Sequence, residues 1–142
     1  SYLKNYSIKV TNQSSWYETE PIPKSEQPNF FNCIVFAKTD LSELDVLKSL
    51  HEIEHILGRR RREVNESRII DLDLIDYSNK ILRNKEIVIP HPRAHQRRFV
   101  MEPLAELDNN WVHPILKVNI NKILKNLDNQ NIKIFNEKEI LV

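Results

Sequence analysis

Alternating and periodic runs of apolar residues divide the 142-residue chain into short segments of predicted strand and helix. β-Branched and aromatic residues predict a long strand over residues 6–18 and a second strand, its antiparallel neighbour, over 29–38. The intervening residues 19–28 contain three prolines and no periodicity, so they are predicted to form a loop.

The clearest predicted helix covers residues 39–58, where apolar residues recur at helical spacing. We expect Asp40 to cap its start, with Glu43 three residues later completing a capping box. Gly58, the only glycine, is expected to end the helix as the first residue beyond it. The predicted apolar stripe consists of Leu44, Leu47, Leu50, Ile53 and Leu57.

The second half of the chain predicts shorter elements. In order, these are a charged loop (59–68), a strand (68–77), a turn (78–80), a strand (86–90), a loop (91–96), a helix interrupted near Pro103 (97–107), an amphipathic helix (119–127) and an edge strand (131–135). This order predicts an α+β fold, with an antiparallel sheet covered on one face by helices. The length suits one domain over residues 1–142 with a single core.

Composition narrows the class of protein. With 40% hydrophobic and 29% charged residues, the chain is expected to be globular rather than disordered. No apolar run approaches the roughly 20 residues of a membrane span, and nothing resembles a signal peptide. The single Cys33 can form neither an internal disulfide nor a cysteine-based zinc site, so we expect a reducing cytoplasm.

The placement of arginine is more informative than the net charge of +1. All nine arginines lie between Arg59 and Arg98, and four of them are consecutive. A guanidinium group is a planar, bidentate donor that suits phosphate. A basic loop in water is the alternative, and charge alone does not decide between the two.

Asp71 and Asp73 form a candidate metal site. Alternate side chains share one face of a strand, so both carboxylates would point the same way, roughly 7 Å apart at Cα. Ile70, Leu72 and Leu74 would face the core. Neighbouring carboxylates repel each other and become favourable when they share a cation such as Mg²⁺, which also binds phosphate oxygens. A solvated polar face is the alternative, since such a pair alone is a weak signal.

Four motifs occur in an order known from one enzyme family. The stretches "GRRRREVNESRIIDLDLIDY" and "IVIPHPRAHQRRFVMEPLAEL" contain a glycine-arginine step, R-x-x-D-L-D-[IL], P-H-x-x-x-x-x-R-x-F and a following P-L. Upstream, "SSWYETEPI" and "QPNFFNCIV" are similar to two strands that flank a pterin-binding loop. From about residue 6 to 114, the chain thus resembles the 6-hydroxymethyl-7,8-dihydropterin pyrophosphokinase family.

This resemblance implies a fold and a reaction. The fold is a ferredoxin-like sandwich, with a mostly antiparallel sheet and helices packed on it. The reaction transfers the β,γ-diphosphate of ATP, the co-substrate, to the hydroxymethyl group of a dihydropterin in folate synthesis, releasing AMP and using two Mg²⁺ ions. ATP and the dihydropterin are the implied partners, and no nucleic acid or membrane is expected. The resemblance is also compatible with fusion to, or association with, other folate-pathway domains.

The resemblance also implies roles for individual residues. Asp71 and Asp73 match the ligands of both magnesium ions. The others match loop arginines that embrace the phosphates (Arg59, Arg68), a further loop arginine (Arg61), nucleotide-site positions (Glu54, His91, Arg97) and pterin-contacting positions (Phe30, Asn32, Phe99).

Each of these residues has an ordinary structural alternative. By periodicity alone, Phe30 and Phe99 are core candidates, and Asn32 can face solvent on its strand. Glu54 can be a helix-surface residue and His91 a turn residue. Four further arginines are interpreted as solvated charge: Arg60, Arg62, Arg93 and Arg98.

The chain also departs from the family. The family opens with a strand ending in Gly-Ser-Asn and then a helix. Neither motif occurs here, so we expect a domain that is incomplete at its N-terminus, with helical residues at 1–5. The arginine loop lacks the family's usual tryptophan and its Gly-Pro step before Arg68.

Two other function classes stay open from the sequence. A nucleic-acid-binding α+β domain would use the arginine loop as a phosphate clamp, although a pI of about 7.9 and the acidic pair are unfavourable for binding a phosphate backbone. A nucleotidyltransferase would use the same Asp71–Asp73 pair and release pyrophosphate rather than AMP.

Overall fold

The computed structural model describes residues 2–20, 26–58, 70–128 and 130–135. These residues form helices and antiparallel strand pairs, which confirms the predicted α+β class. The helices are α1 (Tyr2–Asn5), α2 (Glu43–Gly58), α3 (Arg98–Leu107) and α4 (Ile120–Asn126), with a 3₁₀ turn at Ala94–Gln96. The strands are β1 (Lys9–Gln13), β2 (Trp16–Thr19), β3 (Phe30–Asn32), β4 (Val35–Lys38), β5 (Leu82–Arg83), β6 (Val88–Ile89) and β7 (Ile132–Phe135).

The described strands form three small sheets. β1 pairs with β4, β5 pairs with β6, and β2 lies between β3 and β7. β7 is therefore at one end of its sheet, as predicted for the last strand of the chain. None of the described helices is both long and apolar enough to cross a membrane.

The chain divides into two compact units, the first consisting of residues 1–10 and 37–91. In this unit α1 packs against α2. The helical residues of α1 lie where the family resemblance predicted them. The core of the unit is a cluster of buried residues: Leu3, Ile8, Val46, Leu50 and Ile53.

The second unit consists of residues 11–36 and 92–142. Its helix α3 packs against both α4 and β2. Burial of apolar side chains from these elements supplies the main stabilisation of the unit. The buried residues include Tyr17 on β2, Met101 and Leu104 on α3, and Ile120 and Ile123 on α4.

Both ends of α2 differ from the prediction. Ser42 caps the helix instead of Asp40, because its hydroxyl accepts a 3.2 Å hydrogen bond from the Asp45 amide. Asp40 and Ser42 are both good capping residues, and the helix starts only at Glu43. Gly58 is the last helical residue rather than the residue beyond, and it has no positive φ.

The predicted strand over 6–18 is interrupted at Ser14 and Ser15, so that β1 and β2 are separate. The buried Ser14 hydroxyl accepts a hydrogen bond from the Ile34 amide (2.9 Å) and donates one to the Ser15 carbonyl (2.8 Å). A side chain that bonds backbone groups in this way replaces part of the strand ladder. The predicted strand over 29–38 is likewise divided into β3 and β4.

The predicted strand over 68–77 is wrong for its described residues, 70–77, which are not in a sheet. A strand requires a ladder of backbone hydrogen bonds to a neighbour. Two backbone groups of this segment bond elsewhere instead: the Leu72 amide to the Glu54 side chain, and the Ile75 carbonyl to the His91 amide. The apolar alternation is present, but none of the described strands pairs with this segment.

Two smaller predictions have opposite outcomes. The turn after Tyr77 is confirmed, since Ser78 and Asn79 both have positive φ and the Lys80 amide bonds the Tyr77 carbonyl at 2.9 Å. The predicted interruption near Pro103 is wrong, because α3 continues through it to Leu107. The buried apolar face of α3 holds the helix together despite the missing proline N–H.

Candidate active site

The acidic pair of the first unit is exposed, and the residues around it are anchored. Asp71 and Asp73 are both exposed to solvent, whereas Leu72 and Leu74 are half-buried and pack against the core cluster of the unit. The predicted alternation of faces is thus retained although the segment is not a sheet strand. Both aspartates therefore lie on the solvent side of the segment.

Glu54 of α2 reaches the middle of this segment. Its Oε2 accepts a 2.8 Å hydrogen bond from the backbone amide of Leu72, the residue between the two aspartates. A carboxylate acceptor strengthens such a bond relative to a neutral one. Glu54 is therefore bonded to the acidic segment, and its interpretation as an ordinary surface residue of the helix is wrong.

His91 is bonded to the other end of the same segment. Its backbone amide donates a 2.9 Å hydrogen bond to the Ile75 carbonyl, and the residue is half-buried. The first unit thus brings together four of the predicted site residues along one segment: Glu54, Asp71, Asp73 and His91.

The residues predicted to bind a flat ring lie in the second unit. Phe30 and Asn32 are two apart on β3 and therefore share one face of the sheet. Phe30 is 52% exposed, so the alternative that it is a core residue is wrong. Asn32 is half-buried and is paired in register with Tyr17 of β2.

The same sheet face is the one that packs against α3. Tyr17, which shares this face with Asn32, reaches Glu106 on α3 with its hydroxyl. Phe99 lies in the first turn of α3 and is half-buried. The Arg97 guanidinium carbon lies 5.5 Å from the centre of the Phe99 ring, a cation–π distance. Phe30, Asn32 and Phe99 thus belong to the α3 side of the sheet.

Three predicted arginines fall outside the described residues: Arg59, Arg61 and Arg68. Arg60 and Arg62 lie there as well. Their assigned roles consequently stay predictions from the sequence.

The interpretation of Arg98 as solvated charge is wrong. Its guanidinium donates to the carbonyls of Leu124 and Leu127, both at 3.0 Å, and pairs with Glu102 at 2.7 Å. The acceptors are 26 and 29 residues away, so no local pattern reveals them. Arg98 is a structural residue that binds the C-terminal end of α4.

Cys33 has no features of a nucleophile. The thiol is half-buried, and burial raises its pKa to about 11. At neutral pH it is therefore almost wholly protonated, whereas the thiolate is the reactive form.

The exposed aspartates fit magnesium in particular. No group of three or more His, Cys, Asp or Glu side chains that could hold a metal occurs among the described residues. Mg²⁺ does not need such a cage, since it commonly uses one or two carboxylates together with water and substrate phosphates. Two exposed carboxylates on one anchored segment are a donor set of that kind.

Comparison with known proteins identifies the family. Residues 1–109 match the family of 7,8-dihydro-6-hydroxymethylpterin-pyrophosphokinase (HPPK), and this span contains every site residue predicted above. The chain belongs to the HPPK family. Its members are named for a pyrophosphokinase of the pterin that the sequence motifs had indicated.

Individual relatives support this assignment. The 2-amino-4-hydroxy-6-hydroxymethyldihydropteridine pyrophosphokinase of Haemophilus influenzae is 34% identical over 94% of this chain and 82% of its own length. A folic acid synthesis protein of Dictyostelium discoideum is 37% identical over 84% of the chain, but this match covers only 18% of that protein. A folate synthesis bifunctional protein of Arabidopsis thaliana is 36% identical over 74% of the chain, and the match covers 22% of that protein. HPPK sequences thus also occur as parts of longer proteins.

Proposed function

We propose that this chain transfers diphosphate from ATP to the hydroxymethyl group of 6-hydroxymethyl-7,8-dihydropterin, releasing AMP, in folate biosynthesis. The observation that carries the proposal is the anchored segment with exposed Asp71 and Asp73, inside a span that matches the HPPK family. We also propose that residues 1–142 form one pterin pyrophosphokinase domain of the ferredoxin-like type.

The acidic pair is assigned to magnesium. Asp71 and Asp73 would hold two Mg²⁺ ions, which would neutralise phosphate charge and align the polyphosphate. Packing of Leu72 and Leu74 against the core fixes the backbone that carries both carboxylates. A fixed backbone reduces the entropy lost when the ligands are brought into position.

Basic residues are assigned to the phosphates. Arg59 and Arg68 would stabilise the charge that develops during transfer, and Arg61, His91 and Arg97 would bind ATP. Guanidinium groups are suited to this role because they donate paired, charge-assisted hydrogen bonds to phosphate oxygens. Glu54 belongs to the same unit as His91 and is assigned to the nucleotide site by family resemblance.

The second unit is assigned to the pterin. Phe30 and Phe99 would stack on the two faces of the ring, and Asn32 would bond its polar edge. An amide offers both a donor and an acceptor, which matches such an edge. The 52% exposure of Phe30 supports this role, because an aromatic face is available for stacking.

The reaction requires no strong general base from the protein. The substrate hydroxyl attacks the β-phosphorus of ATP and its proton passes to solvent. The bond between the β-phosphorus and the oxygen that bridges to the α-phosphate breaks, and AMP leaves with that oxygen. Positioning and electrostatic stabilisation therefore supply most of the rate enhancement.

One assay tests the proposal. The full chain is incubated with ATP, Mg²⁺ and the pterin, and products are separated by chromatography. AMP together with diphosphorylated pterin is expected. Free pyrophosphate would instead support nucleotidyl transfer. If neither AMP nor pyrophosphate were formed, both functions would be contradicted.

Two variants link the activity to the acidic pair. Asp71→Asn and Asp73→Asn should each lower kcat by about a hundredfold or more, since each removes one negative ligand. The melting temperature should change little, because both side chains are exposed. Asp40→Asn, at another exposed aspartate of the same unit, is the matched control and should retain activity. Near-normal turnover of either site variant at saturating Mg²⁺ would refute the assignment.

A further inference from the structure

Glu54 forms a direct bond between the main helix of the first unit and the acidic segment. Its carboxylate accepts the Leu72 amide at 2.8 Å, and Leu72 lies between Asp71 and Asp73 in the chain. The side chain is half-buried, near the C-terminal end of α2. This bond therefore holds the backbone at the point from which both aspartates project.

Contacts other than a sheet ladder hold the described residues of this segment. Its described residues are in no sheet, so they lack the regular ladder that fixes a strand. The bond to Glu54, the bond from the His91 amide to Ile75, and packing of Leu72 and Leu74 replace it. The bond to Glu54 acts directly on the backbone of Leu72, between the two aspartates.

We propose that Glu54 is a positioning residue, which holds the Asp71–Asp73 segment in the conformation that binds Mg²⁺ and does so through the Leu72 amide. This inference rests on the proposed function of the two aspartates as magnesium ligands. It replaces the role suggested by family resemblance, in which Glu54 serves the nucleotide directly.

Two substitutions separate the hydrogen bond from the charge. Glu54→Ala removes both. Glu54→Gln keeps an oxygen that accepts from the Leu72 amide and removes only the charge. Glu52→Ala is the matched control, because Glu52 is an exposed acid of the same helix that interacts with Tyr6 rather than with the acidic segment.

Amide hydrogen exchange at Leu72, measured by NMR on the full chain, reports the bond itself without any substrate. In Glu54→Ala the exchange should be about tenfold faster or more, because the amide loses its acceptor. In Glu54→Gln it should stay within about threefold of wild type, since the acceptor remains. Unchanged exchange in Glu54→Ala would show that the bond does not hold the segment, and would overturn the proposal.

Magnesium binding and kinetics report the consequence. Mg²⁺ alone is titrated and followed by the amide shifts of residues 71–73. Its Kd should rise about tenfold or more in Glu54→Ala and at most about threefold in Glu54→Gln, in line with the usual effect of residues that orient metal ligands. At saturating Mg²⁺, the KM for ATP should stay within about twofold of wild type.

Several outcomes would overturn this positioning role. If amide exchange and Mg²⁺ binding were impaired as much in Glu54→Gln as in Glu54→Ala, the charge of Glu54 would matter rather than its hydrogen bond. An effect confined to the KM for ATP would indicate a nucleotide contact, and an equal loss in Glu52→Ala would indicate a general charge effect of α2. Unchanged Mg²⁺ affinity in Asp71→Asn would overturn both proposals. If the wild type released no AMP, only the proposed function would be refuted, because exchange and Mg²⁺ binding still decide the role of Glu54.

Discussion

The hydroxyl of Tyr17 donates a 2.7 Å hydrogen bond to Oε1 of Glu106, a residue 89 positions later in the chain. The other oxygen of that carboxylate accepts from the amide and the hydroxyl of Ser15, at 2.7 and 3.2 Å. One carboxylate on α3 thus receives three donors from the central strand of the three-stranded sheet and the residue before it. This network fixes how α3 lies on the sheet within the second unit.

Loss of this carboxylate should destabilise the fold. Glu106→Ala leaves the hydroxyl of the buried Tyr17 without its acceptor, so the free energy of unfolding should fall by about 1–3 kcal/mol. Tyr17→Phe removes the donor as well. In the double variant the loss should therefore be smaller than the sum of the single losses, as measured by urea denaturation. Strict additivity would contradict direct coupling between the two side chains.

The same pair predicts a loss of stability at alkaline pH. Burial first, and the neighbouring Glu106 second, raise the pKa of Tyr17 well above its ordinary value of 10.0. As pH rises above about 10, the unfolded state loses this proton while the folded state keeps it. Stability is therefore fully present below that pH and falls above it, by up to about 1.4 kcal/mol per pH unit for one proton.

Urea denaturation of the wild type and of Tyr17→Phe across about pH 8–11 tests this directly. The variant should lose less stability than the wild type over the alkaline part of the range, because phenylalanine has no proton to release. Equal slopes in both proteins would show that the pKa of Tyr17 is not raised on folding.

The hydrogen bonds of Arg98 lead to a second prediction about the stability of the fold. Arg98 donates to the carbonyls of Leu124, Leu127 and Asp128, which lie in the last turn of α4 and just beyond it. Carbonyls at a helix end lack part of the regular hydrogen-bond pattern of the helix, and a side-chain donor compensates for this. Arg98→Ala should lower the free energy of unfolding by about 2–3 kcal/mol, since several charge-assisted bonds are lost. Arg98→Lys should retain part of the stability that Arg98→Ala loses, because lysine keeps the charge but not the fork of donors.

The matched control is Arg83→Ala, at an exposed arginine of β5. Surface substitutions of that kind usually change stability by less than about 0.5 kcal/mol. Arg98→Ala with an effect as small as the control would show that Arg98 is only solvated charge, as its sequence context had suggested.

Elements that depend on local periodicity could be predicted from the sequence. α2 and α4 follow from recurring apolar positions, and the turn at Ser78 and Asn79 follows from residues that tolerate positive φ. The exposed sides of Asp71 and Asp73 follow from alternation, because Leu72 and Leu74 pack on the core whether or not the segment is in a sheet.

Features that depend on distant partners could not be predicted. The alternation over 70–77 fits a sheet strand equally well, and nothing local says that the Leu72 amide bonds a side chain 18 residues earlier. The bonds of Arg98 likewise depend on how α3 and α4 pack. At α2, two capping residues compete two positions apart, and only the observed start of the helix decides for Ser42.

The final prediction separates binding of the pterin from stability of the sheet, using the adjacent Phe30 and Phe31. They point to opposite faces of β3, and both are partly exposed, at 52% and 41%. Phe30 shares its face with Asn32, whereas Phe31 packs edge-to-face on Phe135 with ring centres 4.8 Å apart.

Phe30→Ala should raise the KM for the pterin by about tenfold or more, because one stacking face is lost, while the melting temperature hardly changes. Phe31→Ala, the matched control, should lose about 1 kcal/mol of stability with its ring contact and keep the wild-type KM. Steady-state kinetics and thermal melts of both variants decide the point. An unchanged KM in Phe30→Ala, or an equal rise in Phe31→Ala, would remove Phe30 from the pterin site and leave it as an exposed residue of the sheet.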